Sequence, residues 1–450
     1  MKRSLFTDRQ FYKTLFALAI PIALQNLINS LVNLVDTVMI GRLGTAEIAA
    51  VGLGNQFFFL YTMFLFGIIS GGGIFTAQFW GKQDLAGVRK NTGLCLSLSL
   101  GMGIIFTLAA LFFPAKIIGI YSRDPAVIEL GAAYLRILVP AFIPYAVSFV
   151  FTNTMRSIEK VRLSMVTTLI ALGLNVVLNY IFIFGVGPVP AMGVVGAAIG
   201  TVTARFIEAV ILVTVSYAKK YAFAGSLREL LGFNVPFVAR FFRITAPVIC
   251  NEILWSLGIS VQNLIMARTN TDAIAAYNIT STISQLTWVV FMGLGNAAGV
   301  LVGKKIGEGA EKTARSYARR SCIFNTITAV GVALLLIPLS ALVPLLFRVN
   351  ANVLGITAAM FIILAISYPF RAFNMTMVIG VCRAGGDTVF CAVYDLIFMW
   401  SVTLPLAAIA SFVFHAPVWV TYLCISLEDP LKTALGIWRL KSGKWLRNVT

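Results

Sequence analysis

Long apolar runs separated by short polar segments follow one another along the whole chain. Each run is about as long as the ~20 residues that an α-helix needs to cross a bilayer. The runs are continuous rather than alternating, which favours helices over the strands of a β-barrel. The pattern predicts twelve transmembrane helices, near residues 14–39, 47–74, 91–113, 131–153, 163–184, 192–217, 241–266, 273–300, 316–346, 356–380, 388–411 and 417–438.

The second half of the chain repeats the first half at an offset of 226 residues. Pro21 matches Pro247 and Arg42 matches Arg268, and the correspondence continues without a gap to about residue 100. Repeats of this kind are frequent in transporters. The fold class we predict is an all-α membrane protein with two six-helix lobes, related by a pseudo-twofold axis along the membrane normal.

Composition and charge fit this topology. Hydrophobic residues make up 59% of the chain, charged residues make up 12%, and the mean hydropathy is +0.90, which excludes an ordinary water-soluble fold. The net charge of +18 suggests nucleic acid as a partner, but 27 of the 35 Lys and Arg residues fall in predicted cytoplasmic segments and only six in outer loops. This is the positive-inside pattern. We therefore expect no nucleic-acid partner.

The same topology places both termini in the cytoplasm and the protein in the plasma (inner) membrane. The predicted parts are an N-lobe at residues 1–217, a connector at 218–240 and a C-lobe at 241–450. The connector mixes basic and apolar residues and is expected to lie on the cytoplasmic membrane surface. We expect a monomer in the lipid bilayer.

A polar stripe runs along the first predicted helix. Asn26, Asn29, Asn33 and Asp36 are spaced by three, four and three residues, which keeps them within an arc of about 80°. A carboxylate at this depth costs at least ~2.5 kcal/mol in lipid, so the stripe must face the protein interior or a water-filled cavity. One alternative is a hydrogen-bonded packing seam. We prefer a titrating carboxylate beside a cavity.

The first helix of the second half does not repeat this stripe unchanged. The offset maps Asn26 to Glu252 and Asp36 to Gln262, so each half has one carboxylate on the equivalent face. The two carboxylates differ in height by roughly 15 Å, so we expect asymmetric chemistry. Pro21 interrupts the helical hydrogen bonds near the start of the first helix and is the predicted hinge.

Other polar residues fall on neighbouring helices at similar depth. Asn175, Asn179 and Thr201 lie in the outer half of the fifth and sixth spans, where their oxygen atoms could complete a cage with Asp36 around a small cation. Arg205 and Glu208, three residues apart on one helix, are expected to form an intrahelical pair.

Amide, aromatic and methionine side chains form further stripes on the second and eighth helices. Such groups suit an adaptable cavity for flat, apolar, cationic molecules, although each stripe could also be ordinary core. The predicted lining consists of Asn33, Gln56, Met63, Tyr277, Ser281, Gln285 and Trp288.

Catalytic motifs are missing from the sequence. The chain has a single histidine, His415, and contains neither a Walker-type phosphate loop nor carboxylates at metal-ligand spacing. We therefore expect no enzyme activity, no cofactor and no metal beyond a possible Na⁺ at Asp36. The energy for transport must come from a gradient of H⁺ or Na⁺.

Several short motifs together resemble the multidrug and toxic compound extrusion (MATE) family of cation-coupled exporters. They are VDTVMIGRLG at 35–44, FWGKQD at 79–84, LNVVLNY at 174–180, GVVGAAIGT at 193–201 and CRAGGDT at 382–388. The resemblance implies two six-helix lobes around a central cleft that opens alternately to either side. It also implies antiport of small organic, often cationic, compounds against H⁺ or Na⁺.

The resemblance further implies that Asp36 carries the coupling ion and that Asn175 and Thr201 complete its site. Asn179 departs from the family, which commonly has a second Asp there, and the lost carboxylate weakens the case for Na⁺. Glu252 lies one turn from an acidic position that some members use. The acidic residue that those members carry in the tenth helix is absent, since Arg371 and its neighbours occupy that region.

Two other functions remain open at this point. A lipid-linked glycan flippase of the same superfamily would tend to have extra helices and a basic cavity, whereas this chain has twelve spans and acidic stripes. An intramembrane enzyme would need a His, Cys or metal constellation.

Overall fold

The computed structural model describes residues 8–269, 271–342 and 351–450, and within these ranges the chain is helical with short connections and no strand. The predicted all-α membrane fold is confirmed. The helices are α1 (Arg9–Gly41), α2 (Thr45–Gly81), α3 (Leu85–Phe112), α4 (Pro114–Gly119), α5 (Pro125–Leu138), α6 (Phe142–Ser157), α7 (Val161–Phe184), α8 (Gly193–Ala218), α9 (Leu227–Leu230), α10 (Val235–Thr269), α11 (Thr271–Gly307), α12 (Glu311–Leu342), α13 (Ala351–Met375), α14 (Thr388–Phe398), α15 (Leu404–Phe412), α16 (Val418–Ser426) and α17 (Glu428–Ser442).

Eleven helical segments in the described part of the chain are long and apolar enough to cross a membrane. They coincide with the first eleven predicted spans, except that the last residues of the ninth, 343–346, lie outside the described residues. The twelfth predicted span, 417–438, falls on the shorter helices α16 and α17, which meet at Leu427. Acidic and basic side chains at the start of α17 lower its hydropathy, and their partners are described below.

Helix ends are set by local capping chemistry. The Asp84 side chain accepts a hydrogen bond from the Gly87 backbone N–H at 2.8 Å and caps α3. Asp124 caps α5 in the same way through Ala126, and Pro125 takes the first helical position, where no N–H is needed. The short turns at these caps determine which helices pack next to each other in antiparallel orientation.

The chain divides into two compact units. Unit N consists of residues Leu24–Phe242, and unit C consists of residues 8–23 together with the described residues of 243–450. The first boundary lies within α1, two residues after Pro21. The second lies within α10, close to Pro247. The N-terminal end of α1 is therefore part of unit C, although the sequence division into lobes places it with residues 1–217.

In unit C, the start of α1 is held by α12. Asp8 forms an ion pair with Arg320 at 2.6 Å. Next to it, the Phe11 and Tyr317 rings lie 4.7 Å apart. Phe11 is fully buried, so this end of α1 is fixed by both charge and packing.

In unit N, α7 and α8 pack at backbone contact. A Cβ atom at Gly196 would lie 2.3 Å from the Phe182 carbonyl oxygen, and one at Gly200 would lie 2.2 Å from Asn179 Oδ1. A larger residue at Gly196 would overlap the α7 backbone, and one at Gly200 would displace the Asn179 side chain. The two glycines therefore permit the close approach of α7 and α8.

The connector is docked on α3 within unit N. A Cβ at Gly93 would overlap the Leu230 carbonyl oxygen at 1.9 Å, which shows how closely α9 lies against α3. Arg89 forms an ion pair with Glu229 at 2.5 Å, and Ser226 caps α9 by a capping box with the same Glu229.

Candidate functional site

A cavity of about 660 Å³ lies within unit N, between α1, α2 and α5–α8. The whole polar stripe of α1 borders it, namely Asn26, Asn29, Asn33 and Asp36. The stripe therefore faces a cavity, as its helical spacing predicted, and the packing-seam alternative is not what the structure shows.

Asp36 is joined to the amides of α7. Asn179 donates from Nδ2 to Asp36 Oδ1 at 2.9 Å and also approaches Asn175 Oδ1 at 3.4 Å. Asn175 in turn approaches the Thr201 hydroxyl at 3.4 Å. Asn175 and Asn179 are both buried. Four of the five predicted coupling residues thus form one cluster at the cavity wall.

The position of Asn179 is fixed by the close contact of α7 with α8. Gly200 leaves room for its side chain, and the Asn179 Oδ1 atom is buried with no hydrogen-bond partner among the described residues. The amide consequently presents its donor, not its oxygen, to Asp36. A carboxylate that accepts an amide N–H is stabilised in its ionised form.

A second polar cluster borders the same cavity, about three turns before Asp36 along α1. Arg205 and Glu208 form the expected intrahelical pair at 2.9 Å. Thr168 donates to Glu208 at 3.0 Å, and Gln25 donates to the Thr168 hydroxyl at 2.8 Å. Arg205 also lies over the Tyr145 ring, 5.1 Å from its centre, and acts electrostatically on Asp36.

Gln25 and Thr168 were missed in the sequence, although a signal existed. Gln25 precedes Asn29 by four residues, and Thr168 precedes Asn175 by seven, so helical periodicity places both on faces already recognised as polar. Arg156, which also lines the cavity, had no such signal because it lies in the last turn of α6.

The charges on the cavity lining balance. Its charged side chains are Asp36, Glu208, Arg156 and Arg205, so the lining is neutral when all four are ionised. Uptake of one proton at Asp36 would change its net charge to +1.

Glu252, the fifth predicted coupling residue, does not belong to this cluster. It lies in unit C and forms an ion pair with Arg383 at 2.6 Å, in which the two side chains are only 11% and 5% exposed. A coupling role for Glu252 would require this pair to open.

The predicted lining residues are divided between two cavities. Asn33 and Gln56 border the cavity of unit N. A second cavity, of about 610 Å³, lies between α10 and α11 in unit C, and Tyr277, Ser281 and Gln285 border it. Two predicted lining residues, Met63 and Trp288, are half-buried and border neither cavity.

Unit C also contains buried charges that sequence reasoning did not connect. Arg371, seen in the sequence only as a departure from a family pattern, forms an ion pair with Asp429 at 3.1 Å. Lys432 pairs with both Asp395 and Glu428. These partners lie 37 to 58 residues apart or on adjacent helical turns, and spacing alone does not identify the longer-range ones.

Comparison with known proteins agrees with this architecture. The MatE family model matches residues 21–181 and 247–409, which covers both halves of the repeat. The chain is 27% identical over 424 residues to a probable multidrug resistance protein NorM of Pasteurella multocida, a match that covers 89% of this chain and 87% of the relative. It is 25% identical over 435 residues to a protein of the same description from Thermotoga maritima, covering 96% and 93% of the two chains.

A solved structure of similar fold is described as the outward-facing conformation of a multidrug resistance MATE family transporter of the MOP superfamily. The two chains superpose with a TM-score of 0.86 over 96% of this chain and 97% of the other, at 20% sequence identity. At that identity the likeness concerns the fold.

Proposed function

Because the chain belongs to the MatE family of multidrug and toxic compound extrusion transporters, we propose that it exports organic cations in exchange for protons that bind at Asp36. One observation carries the proposal. Asp36 borders a cavity large enough for a small organic molecule, and its hydrogen-bond partner is a neutral amide. The nearby cation Arg205 is engaged by Glu208, so the Asp36 charge is available to a mobile ion.

The charge balance of the cavity supports an exchange. With Asp36 ionised the lining is neutral, and a bound organic cation gives a total charge of +1. If a proton then binds at Asp36, the total becomes +2 in a low-dielectric space, which is strongly unfavourable. Proton and organic cation therefore compete for the cavity, and binding of one promotes release of the other.

The coupling ion we propose is H⁺. The cluster of Asp36, Asn175, Asn179 and Thr201 contains a single carboxylate, and Asn179 turns its N–H towards it. A cage for Na⁺ would need several oxygen ligands around the ion, so this amide would have to reverse. A proton needs only the carboxylate.

The driving force follows from this stoichiometry. Exchange of one H⁺ for one monovalent cation moves no net charge, so a pH difference drives it and a membrane potential alone does not. Each pH unit is worth about 1.4 kcal/mol, which sustains a roughly tenfold gradient of the exported cation.

Pro21 is the proposed hinge. Its ring removes a helical hydrogen bond, and the boundary between the units divides α1 two residues later. The segment before it is fixed in unit C by Asp8 and Phe11, whereas the stripe after it belongs to unit N. Any displacement of one unit against the other must bend α1 near Pro21.

Aromatic side chains in the cavity define the proposed substrate class. Phe58, Phe59, Tyr145 and Phe149 line it together with the amide of Gln56. The Tyr145 and Phe149 rings are stacked, 5.5 Å between centres. Such surfaces bind flat cations through cation–π and apolar contacts. The relatives' description as multidrug resistance proteins supports export of several compounds of this kind.

We further propose that the protein acts as a monomer in the plasma (inner) membrane, with both termini in the cytoplasm. The excess of Lys and Arg in the corresponding loops supports this orientation. A lipid-linked glycan as cargo is not favoured, because the cavity lining is neutral rather than basic.

Reconstituted proteoliposomes test the proposal directly. A fluorescent organic cation is loaded, and a pH gradient, a Na⁺ gradient and a membrane potential are imposed one at a time. Export driven by the pH gradient alone is the expected result. Export driven only by Na⁺ would replace H⁺ by Na⁺ as the coupling ion.

The Asp36→Asn variant should lose gradient-driven export while its expression and folding stay intact. The matched control is Asp124→Asn, which makes the same chemical change at a helix cap outside the cavity and should transport normally. Full export by Asp36→Asn would refute the coupling role.

A further inference from the structure

Unit C contains a buried ammonium group that is shared by two carboxylates. Lys432 Nζ lies 2.8 Å from Asp395 Oδ1 and also forms an ion pair with Glu428. The three side chains are 4%, 15% and 10% exposed. If all three groups are ionised, this cluster carries one uncompensated negative charge.

Neighbouring pairs do not supply the missing positive charge. Arg383 is paired with Glu252 and also acts electrostatically on Asp395, and Arg371 is paired with Asp429. Four carboxylates thus face three cations in this region, and one negative charge is left over.

The next cations along the chain do not change this balance. Arg439 and Arg447 both bind Asp387, and the Arg447 side chain is 56% exposed and so is screened by solvent. Tyr394 and Cys391, which lie beside Asp395 on α14, are neutral. The Tyr394 hydroxyl donates to Asn374, so it is not a donor to Asp395.

A buried excess charge is costly, and a proton removes it. Two carboxylates that share one site do not both remain ionised unless enough positive charge is present. From this geometry we propose that the cluster of Asp395, Glu428 and Lys432 is a second proton-binding site, separate from Asp36 and independent of the export mechanism proposed above.

Glu428 is the group that takes the proton. Asp395 accepts two hydrogen bonds, from Lys432 and from Asn251 Nδ2 at 3.0 Å, and both favour its ionised form. Glu428 accepts from Lys432 alone among the described residues, and the carboxylate of Asp429 follows it in the chain. In the binding step the Glu428 carboxylate takes up one H⁺ from a hydronium ion, whose O–H bond breaks to leave water, and becomes a neutral carboxylic acid.

Asn251 provides an independent sign that the site is incomplete without a further group. Its Oδ1 atom is buried and has no hydrogen-bond partner among the described residues, while its Nδ2 atom is bound to Asp395. An unpaired acceptor in the interior costs free energy. Beside the Asp395 carboxylate it is available to a proton-carrying water.

Infrared spectroscopy of the purified full-length chain tests the site without measuring transport. The Asp36→Asn variant is the reference, because it removes the carboxyl of the export site. Near neutral pH it should show the C=O band of a protonated carboxylic acid, and raising the pH should remove this band as the proton dissociates.

Two variants in the Asp36→Asn background assign the band. Glu428→Gln should abolish it, because the amide replaces the protonated acid. Asp395→Asn should abolish it too, because Lys432 then faces one carboxylate and the excess charge is gone. The matched control is Glu311→Gln, an exposed residue at the start of α12 in the same unit, which should leave the band unchanged.

Persistence of the band in both cluster variants would overturn the proposal. Absence of the band from Asp36→Asn itself, at every pH at which the protein is folded, would overturn it as well, and this result requires no substitution in the cluster. Neither outcome bears on Asp36, which is tested by transport.

Discussion

The first helices of the two halves, α1 and α10, start from one repeated sequence pattern but hold their carboxylates in opposite ways. Asp36 borders an open cavity and is positioned by an amide whose place depends on helix packing. Glu252 is buried and is positioned by the opposite charge of Arg383. The comparison shows that two helices with the same sequence pattern need not share the same chemistry. A carboxylate can exchange ions only where no cation of the protein is already paired with it.

The largest effect should come from breaking the buried pair of unit C. Glu252→Gln leaves the Arg383 charge buried without its partner, and such a loss costs about 3–5 kcal/mol of unfolding free energy. The expected result is a large fall in thermal stability, measured on the purified protein, whereas Asp36→Asn should melt as the wild type does.

A double variant, Glu252→Gln with Arg383→Gln, separates charge from packing. Because it removes both charges, it should recover more than half of the lost stability. If Glu252→Gln alone melts normally and instead loses export, the contrast between the two helices is wrong and Glu252 belongs to the coupling machinery.

A smaller effect is expected where packing, not charge, positions the partner of the carboxylate. Gly200→Ala places a methyl group where the Asn179 side chain lies and displaces that side chain, at a cost of roughly 1–3 kcal/mol. Export should fall by about tenfold or more, because Asn179 no longer reaches Asp36. The measurement is the initial rate of pH-driven export.

The control for this substitution is Gly173→Ala on α7, where a Cβ atom meets nothing within 4 Å. Export by this variant should be normal. Equal loss in the two variants would show that helix α7 is generally sensitive and that the contact at Gly200 is not special.

The hinge should have a still smaller influence, because it concerns only one of the two helices, α1 and α10, that belong to both units. Pro21→Ala restores a helical hydrogen bond and stiffens α1. The export rate should fall several-fold while equilibrium binding of the fluorescent cation stays unchanged. Pro188→Ala, in the exposed turn after α7, is the control; a change in binding affinity at Pro21 would argue for a role in the cavity instead.

The smallest effect should come from the ion pair of Arg89 with Glu229, which has the same chemistry as the pair in unit C but is exposed. The two side chains are 28% and 46% exposed, so solvent screens their attraction. Glu229→Gln should leave the melting temperature nearly unchanged. A destabilisation as large as that of Glu252→Gln would remove burial as the explanation of the difference.

The pH dependence of the same ion pair provides a further test. Hydrogen bonds from the Ser226 backbone and hydroxyl, followed by the Arg89 charge, hold the pKa of the Glu229 carboxyl below its usual value of 4.5. The small stabilisation that the ion pair contributes is therefore complete above pH 4.5, and it is lost as the pH falls through the lowered pKa. Protease cleavage of the connector at low pH, compared between wild type and Glu229→Gln, measures it.

Much of the fold could be predicted from the chain alone, because each element in a bilayer must satisfy its own backbone and present an apolar surface. Continuous apolar runs therefore gave the membrane helices, and spacing within one helix gave both the stripe that ends at Asp36 and the pair of Arg205 with Glu208. The twelfth predicted span was not found as one long apolar helix, because the charged side chains of α17 are buried against partners on other helices.

Helical periodicity could not predict the contacts between segments that lie far apart in the sequence. The Asp36 bond to Asn179 spans 143 residues, and the Lys432 bond to Asp395 spans 37. The sequence by itself determined the apolar membrane segments, the repeat and which faces are polar, since these depend on local geometry and on the solvent. Only the tertiary structure decided which carboxylate meets a cavity and which meets a cation, because that depends on where α7, α13 and α17 bring their side chains.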